Sequence, residues 1–366
     1  MKIVFVGTRG LPNVQGGVEK HCEELTKHLA RLGCDVTVLT RAPYVDCSIA
    51  SHNSVKLIHL PAIRNKFLEA YCHTFYGIIV ARKLNPDILH IQAIGPGFFC
   101  LFARILGLKV VLTSHGSNYK HQKWGRFSRS FLKFCEYMGV SYANKVIAIS
   151  QNIANEIKTQ YNREAKVIPN GVEIPQVEAE SNTLDEYGLE NKKYIIAVGR
   201  FVAGKGFEDL IEAFGRASLS SFKLVIAGDA DVEDDYSREL KERARRMPNV
   251  VLTGFITGKP LKELYSHAGL FVLPSYYEGL PIALLEAMSY GLSCIVSDIP
   301  ANREVGLAEE RYFNPGDIKG LSDKIREFAA KPLSEEEKSR QIALIRENYD
   351  WDKIAKETLQ VYRDIL

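Results

Sequence analysis

Short β-branched runs alternate with helical patterns along this chain, and the alternation runs through one series and then begins again. In the first series the runs Lys2–Gly7, Asp35–Thr40, Val55–Leu60, Ile88–Gln92, Lys109–Ser114 and Lys145–Ile149 read as strands. Between them lie helical patterns, clearest in Gly17–Leu32, where Val18, Cys22, Leu25 and Leu29 recur at helical spacing. The second series has Tyr194–Val198, Lys223–Ala227, Asn249–Thr253, Leu270–Pro274 and Ser293–Val296. Strand and helix in this rhythm build parallel sheets with helices on both faces. Two series predict an α/β architecture of two doubly wound domains facing a central cleft, with ligands at the carboxyl ends of the strands.

The length of 366 residues suits two domains of middling size. The turn-forming Pro169-Asn170-Gly171, after a strand read at Ala165–Ile168, places the boundary between domains 1–168 and 172–348. The last pattern, Trp351–Leu366, is an amphipathic helix with Trp351, Ile354, Ala355, Leu359 and Tyr362 along one stripe, and its home is either its own domain or the neighbouring one. The overall charge of +3 hides an asymmetry: residues 1–175 hold 22 Lys and Arg against 11 Asp and Glu, and the remainder holds 25 against 33. The halves therefore face different chemistry. Seven scattered cysteines with no C-x-x-C pair fit reduced thiols in a cytoplasmic protein and argue against a zinc site. The apolar run Ile3–Val6 is too short for a signal-peptide core, and Arg104 and Lys109 interrupt the longest hydrophobic stretch, Gly95–Leu112.

Three loops carry the chemistry. The first, Gly7-Thr8-Arg9-Gly10 with Gly16-Gly17-Val18-Glu19, follows a strand and opens a helix, where backbone N–H groups and the helix dipole suit a phosphate. Its spacing is not the G-x-G-x-x-G of dinucleotide folds, which disfavours a nicotinamide dehydrogenase. The second, Gly199–Gly206, sets Arg200 and Lys205 at the carboxyl end of the strand Tyr194–Val198. A forked guanidinium and an ammonium there suit a diphosphate and the charge that builds as it departs. Gly206 stands where a Walker loop needs Ser or Thr. The third, Glu278-Gly279-Leu280-Pro281 running on to Glu286, puts one carboxylate before a helix and one inside it, with the N–H groups of Gly279 and Leu280 placed to face a ligand. Such carboxylates accept hydrogen bonds from sugar hydroxyls.

In order, Gly16-Gly17-Val18-Glu19, the hinge Ile168-Pro169-Asn170-Gly171-Val172, the Arg200…Lys205 pair and the Glu278…Glu286 pair span nearly the full length. The chain resembles glycosyltransferase family 4, of the two-domain Rossmann-like GT-B fold. The resemblance implies a retaining glycosyltransferase that takes a hexose from a nucleotide diphosphate sugar, without a metal or other cofactor. It implies an N-terminal acceptor-binding domain, a C-terminal donor-binding domain, and a final helix, 349–366, packing back on the N-terminal domain. Arg200 and Lys205 would grip the diphosphate, Glu278 the transferred sugar and Glu286 the ribose, with Gly16, Gly17, Gly279 and Leu280 completing the donor contacts. A UDP-sugar is favoured on frequency, with a GDP-sugar as the other donor. His115, in Ser114-His115-Gly116, stands where the family often places a histidine facing the sugar; an inverting route with His115 as general base is chemically open as well. Asp229-Ala230-Asp231 spells a D-x-D metal motif but reads as a loop near the nucleotide. The alternatives are an inactive GT-B scaffold that binds nucleotide-sugar and a GT-B sugar-nucleotide epimerase.

The Gly7–Glu19 segment is similar to transferases of bacterial cell-surface polysaccharide assembly, which implies a saccharide or lipid-linked acceptor. In 120–133, Lys120, Lys123, Arg126, Arg129 and Lys133 alternate with an aromatic stripe of Trp124, Phe127 and Phe131, continued at Phe134. One reading is a helix on an anionic membrane surface, placing the protein peripherally on the inner membrane face; the other packs the aromatics into the domain core and solvates the cations. No nucleic-acid module is recognisable.

Overall fold

Strands buried on both faces need near-continuous apolar runs, and Ile3-Val4-Phe5-Val6 and Tyr194-Ile195-Ile196-Ala197 are two such runs, each residue fully buried. The computed structural model describes residues 1–63, 68–116, 125–178 and 181–366. They form two units, Met1–Gly171 with Trp351–Leu366, and Val172–Asp350.

The first unit holds β1 (Lys2–Val6), β2 (Asp35–Arg41), β3 (Ser51–His52), β4 (Val55–Leu60), β5 (Ile88–Gln92), β6 (Val110–Ser114), β7 (Lys145–Ala148) and β8 (Lys166–Val167). Their order in the sheet is β3-β4-β2-β1-β5-β6-β7-β8. All neighbours are parallel except β3 and β4. That short antiparallel edge is absent from the sequence reading, because two residues carry no periodicity. Helix Gly17–Arg31 buries Cys22, Leu25 and Leu29 against Ile3, Phe5 and Val36. Helix Gln151–Tyr161 starts where the Ser150 hydroxyl accepts from the Ile153 N–H and stops at Asn162 in the left-handed conformation.

Helix Trp351–Arg363 joins the core of this unit. Trp351, Ile354, Ala355, Leu359 and Tyr362 are buried with Phe5 and Leu25. The Tyr362 hydroxyl and His90 Nδ1 lie 2.6 Å apart. A Cβ on Gly171 would meet the Trp351 ring at 2.6 Å, so the indole takes the space of a missing side chain.

The second unit holds β9 (Tyr194–Val198), β10 (Lys223–Ala227), β11 (Val250–Gly254), β12 (Leu270–Leu273), β13 (Cys294–Ser297) and β14 (Tyr312–Phe313). The all-parallel order is β11-β10-β9-β12-β13-β14. Its core gathers Ile195, Phe207, Leu210, Phe214, Ile226, Val272 and Ile295. The chain lays β10 and β11 on one side of β9 and then returns to lay β12 on the other. The loops after β9 and β12 therefore diverge at a reversal point, where open parallel sheets bind ligands.

The stretch 120–133, read above as one helical pattern, is corrected: the described helix is Arg126–Tyr142, nine residues longer at its carboxyl end. Lys120, Lys123 and Trp124 lie outside the described residues.

Candidate active site

In the second unit the loop after β9 is tied to the loop after β12. Gly206 has φ +68°, and a Cβ there would lie 2.3 Å from the Pro274 carbonyl oxygen, so only glycine lets the two backbones approach this closely. The Tyr276 N–H donates to the Gly204 carbonyl at 2.8 Å. Helix Phe207–Ala217 then begins directly behind the loop.

This closure brings Lys205 to Glu278. Lys205 Nζ donates to Glu278 Oε1 at 2.6 Å, and the hydroxyl of fully buried Ser275 donates to the same oxygen at 2.6 Å. Ser275 is fixed in turn, its carbonyl accepting from the Ser297 hydroxyl, while the Asn302 amide donates to the Ser297 carbonyl at 2.8 Å. Two donors on Oε1 set the carboxylate plane, and Oε2 can accept a further hydrogen bond. Lys205 keeps further N–H donors for an anion.

Arg200, on the same loop, pairs with Asp231 at 2.8 Å through Nη1. The guanidinium's other N–H groups face away from that bond, and five donors in one plane allow a second partner. Asp229 pairs with Lys241 at 2.8 Å. The two carboxylates of the D-x-D segment are thus each matched to a cation.

Helix Ile282–Ser289 starts after Pro281 and carries Glu286. Glu286 Oε2 accepts from the Tyr265 hydroxyl at 3.2 Å. Burial and the neighbouring Glu286 charge push the Tyr265 hydroxyl well above the usual tyrosine range, which keeps it a donor. Tyr290 stacks on Tyr265 with centroids 5.3 Å apart. Gly279 and Leu280 lie in the loop between Glu278 and this helix.

In the first unit Gly16 stands at φ +143° immediately before helix Gly17–Arg31. A Cβ on Gly16 would fall 2.2 Å from Glu19 Oε2 and 2.8 Å from Arg9 Nη2. The glycine thus makes room for the Arg9–Glu19 pair, 3.0 Å between Nε and Oε1, which the sequence reading missed.

His115 follows β6, its Nε2 2.8 Å from Gln92 Oε1 at the end of β5. With that proton on Nε2, Nδ1 carries the ring's lone pair. His21 meets the His115 ring edge-on at 4.8 Å, and its Nδ1 is 2.9 Å from Asn170 Oδ1 in the hinge segment. Burial pushes His21 down to about 4, and burial with the nearby His21 and His90 holds His115 well below the usual histidine range. Both rings are neutral at pH 7. His115 serves there as a hydrogen-bonding group and not as a cation.

The structure thus joins Lys205 to Glu278, puts Arg200 on the Lys205 loop, and puts Glu286 on the helix that follows the Glu278 loop. Gly16, Gly17 and His115 belong to the first unit. Ser275, Tyr265, Gln92 and His21 were missed, and so was the pairing of Asp231, in the D-x-D segment, with Arg200; the four missed residues sit in no motif, although each lies within reach of a residue that does.

The model for Glycosyltransferase Family 4 matches residues 15–175, and that for Glycosyl transferases group 1 matches residues 181–349. The chain belongs to glycosyltransferase family 4. This family 4 glycosyltransferase is 27% identical to an uncharacterized glycosyltransferase of Methanocaldococcus jannaschii, over 99% of this chain and 98% of the relative. Among solved structures, it is similar to a sucrose-phosphate synthase from Thermosynechococcus elongatus, with TM-score 0.85, 22% identity and coverage of 99% and 98%. It is also similar to Anabaena Alr3699/HepE in complex with UDP-glucose, with TM-score 0.80, 18% identity and full coverage of both chains (100% and 100%). The family 4 chain has the GT-B fold.

Proposed function

We propose that this glycosyltransferase moves a hexose, with retention of configuration, from a nucleotide diphosphate sugar to a saccharide or lipid-linked acceptor in cell-envelope polysaccharide synthesis. The observation that carries the reading is the meeting of Lys205 and Glu278 at the reversal point of the second sheet. A sugar diphosphate combines an anion with neutral hydroxyls, and this pair offers an ammonium for the first and a carboxylate for the second.

In the proposed reaction Lys205 and Arg200 hold the diphosphate and stabilise the charge that grows on it as the bond to the sugar breaks. Glu278 Oε2 accepts from a sugar hydroxyl and fixes the ring, and Glu286 accepts from the ribose. Gly279 and Leu280 present backbone N–H groups to the donor, and Gly16 and Gly17 add theirs from the first unit. The departing phosphate takes the acceptor proton, and neutral His115 orients the sugar through a hydrogen bond. No metal or cofactor enters this scheme, since two cations perform the charge stabilisation. A uridine donor is the favoured one, supported by the UDP-glucose bound to the Anabaena protein. The seven free cysteines fit a reducing, cytoplasmic setting.

The test is release of nucleotide diphosphate from UDP- and GDP-sugars, with a thermal-shift panel of the same ligands. Lys205→Ala should lower kcat/KM by roughly 10²–10³, the loss expected for one donor aimed at developing charge. Arg200→Lys should also lower it, because a point charge does not replace a fork. Full activity in both variants overturns the assignment. Binding that raises the melting temperature without any turnover would leave the chain a nucleotide-sugar-binding scaffold.

A further inference from the structure

Three stretches of the first unit put their aromatic rings together at the surface: helix Glu69–Leu84, the paired short helices Ile94–Gly97 and Cys100–Ile105 with the link between them, and helix Arg126–Tyr142. Phe75 packs on Phe99 and Phe102 at 5.8 and 5.1 Å between centroids. Phe98 reaches Phe131 and Phe134 at 6.2 and 6.1 Å. These rings touch one another without being covered: Phe75 is 43% exposed and Phe134 48%, and Ile105, on the same helix as Phe102, is 73% exposed. A run of large apolar groups this open marks a binding surface.

The charges on the same stretches are sorted by sign. Arg82, Lys83, Arg104, Arg126, Arg129 and Lys133 are all exposed. The two acids, Glu69 and Glu136, are buried. Glu69 is paired with Arg41 at 3.0 Å, and Glu136 accepts from the Tyr161 hydroxyl at 2.8 Å. Every exposed formal charge on these stretches is therefore positive. A second copy of the chain would bring like charge against like charge. A bilayer with anionic headgroups satisfies both features, since its phosphates meet the cations and its acyl boundary takes the rings.

We propose that this face, built from the described residues of these three stretches, docks the protein on an anionic lipid surface. It adjoins the strand end that holds His115's partner, because Ile94 follows Gln92 by two residues. A lipid-linked acceptor held in that surface would reach the first unit from its own membrane. The inference does not rest on the donor assignment, because none of these residues belongs to the donor site.

The experiment is co-sedimentation of the full chain with phosphatidylcholine vesicles containing or lacking about one-third phosphatidylglycerol. Binding should be strong with the anionic lipid, fall with salt, and drop at least about tenfold in the double variant Arg126→Glu/Arg129→Glu. Ile105→Ser, on an exposed side chain, should weaken binding while donor hydrolysis and melting temperature stay unchanged. Equal binding to both vesicle types, or no loss in any variant, overturns the proposal. Tighter binding to a single-stranded oligonucleotide than to vesicles, or dimerisation abolished by Ile105→Ser, would overturn it in favour of a nucleic acid or a second copy.

Discussion

Lys205 Nζ and Glu278 Oε1 meet at 2.6 Å although 73 residues separate them in the chain. The contact exists because β12 returns beside β9 after β10 and β11 have been laid on its other side. Glu278 is held there by two donors on one oxygen, which turns a flexible side chain into an acceptor of fixed direction.

Ser275 is the simplest probe of that direction. Ser275→Ala removes one of the two donors on Oε1, and a hydrogen bond to a charged group is worth about 1.5–3 kcal/mol. Affinity for the whole nucleotide-sugar should fall at least about tenfold in calorimetric titration. If Glu278 reads the sugar, affinity for the nucleotide diphosphate alone should stay within about twofold. Equal losses for both ligands would show that Ser275 shapes the loop as a whole.

Tyr265 makes the matching test at Glu286. Tyr265→Phe keeps the buried ring and its stacking on Tyr290 but deletes the donor to Oε2. If Glu286 reads the ribose, the wild type should prefer the ordinary donor over its 2′-deoxy analogue, and the preference should shrink by about fivefold in the variant. A loss that is the same for both donors would point to packing alone.

Gly206 and Gly258 separate clash from backbone strain. Both have positive φ, but a Cβ at Gly258 meets nothing within 4 Å, whereas one at Gly206 meets the Pro274 carbonyl at 2.3 Å. Gly258→Ala, at φ 65° and ψ −138°, should cost about 1–3 kcal/mol from conformation alone. Gly206→Ala should cost clearly more and should weaken donor binding, since it pushes apart the loops that bear Lys205 and Glu278. Melting curves and ligand titrations of the two variants check this.

Acid should destabilise the first unit through its histidines. His21 and His73 are each held down to about 4 by burial, below the ordinary value of 6.5. Between these values the unfolded chain binds more protons than the folded one, so stability is present above about pH 6.5 and is lost as pH falls toward 4. Each of the two should cost about 2 kcal/mol between pH 7 and pH 5. Urea unfolding at the two pH values should show the drop, and His73→Gln should reduce it.

The strands of both sheets were legible because parallel strands buried on both faces write continuous apolar runs, as in Ile3–Val6 and Leu270–Leu273. The loops bearing Lys205 and Glu278 were legible because each follows such a run. What could not be read was adjacency. The order β11-β10-β9-β12 is decided by packing between distant segments, so nothing near Arg200 announces Asp231, and nothing near Glu278 announces the support reaching Ser275 from Ser297 and Asn302. The strands β3 and β14 are too short to show a period. The grouping of His21, His90 and His115 has the same cause, since their segments meet only once the first sheet has formed.

Helix Trp351–Arg363 supplies part of the first unit's core although the whole second unit precedes it in the chain. During synthesis the nascent amino-terminal half therefore waits, with Phe5, Leu25 and His90 lacking their last neighbours, while some 180 further residues emerge from the ribosome. Its core closes only when that helix has been made, and a stop codon just before Trp351 would yield a protein with a finished second unit and a first unit left open to aggregation and proteolysis.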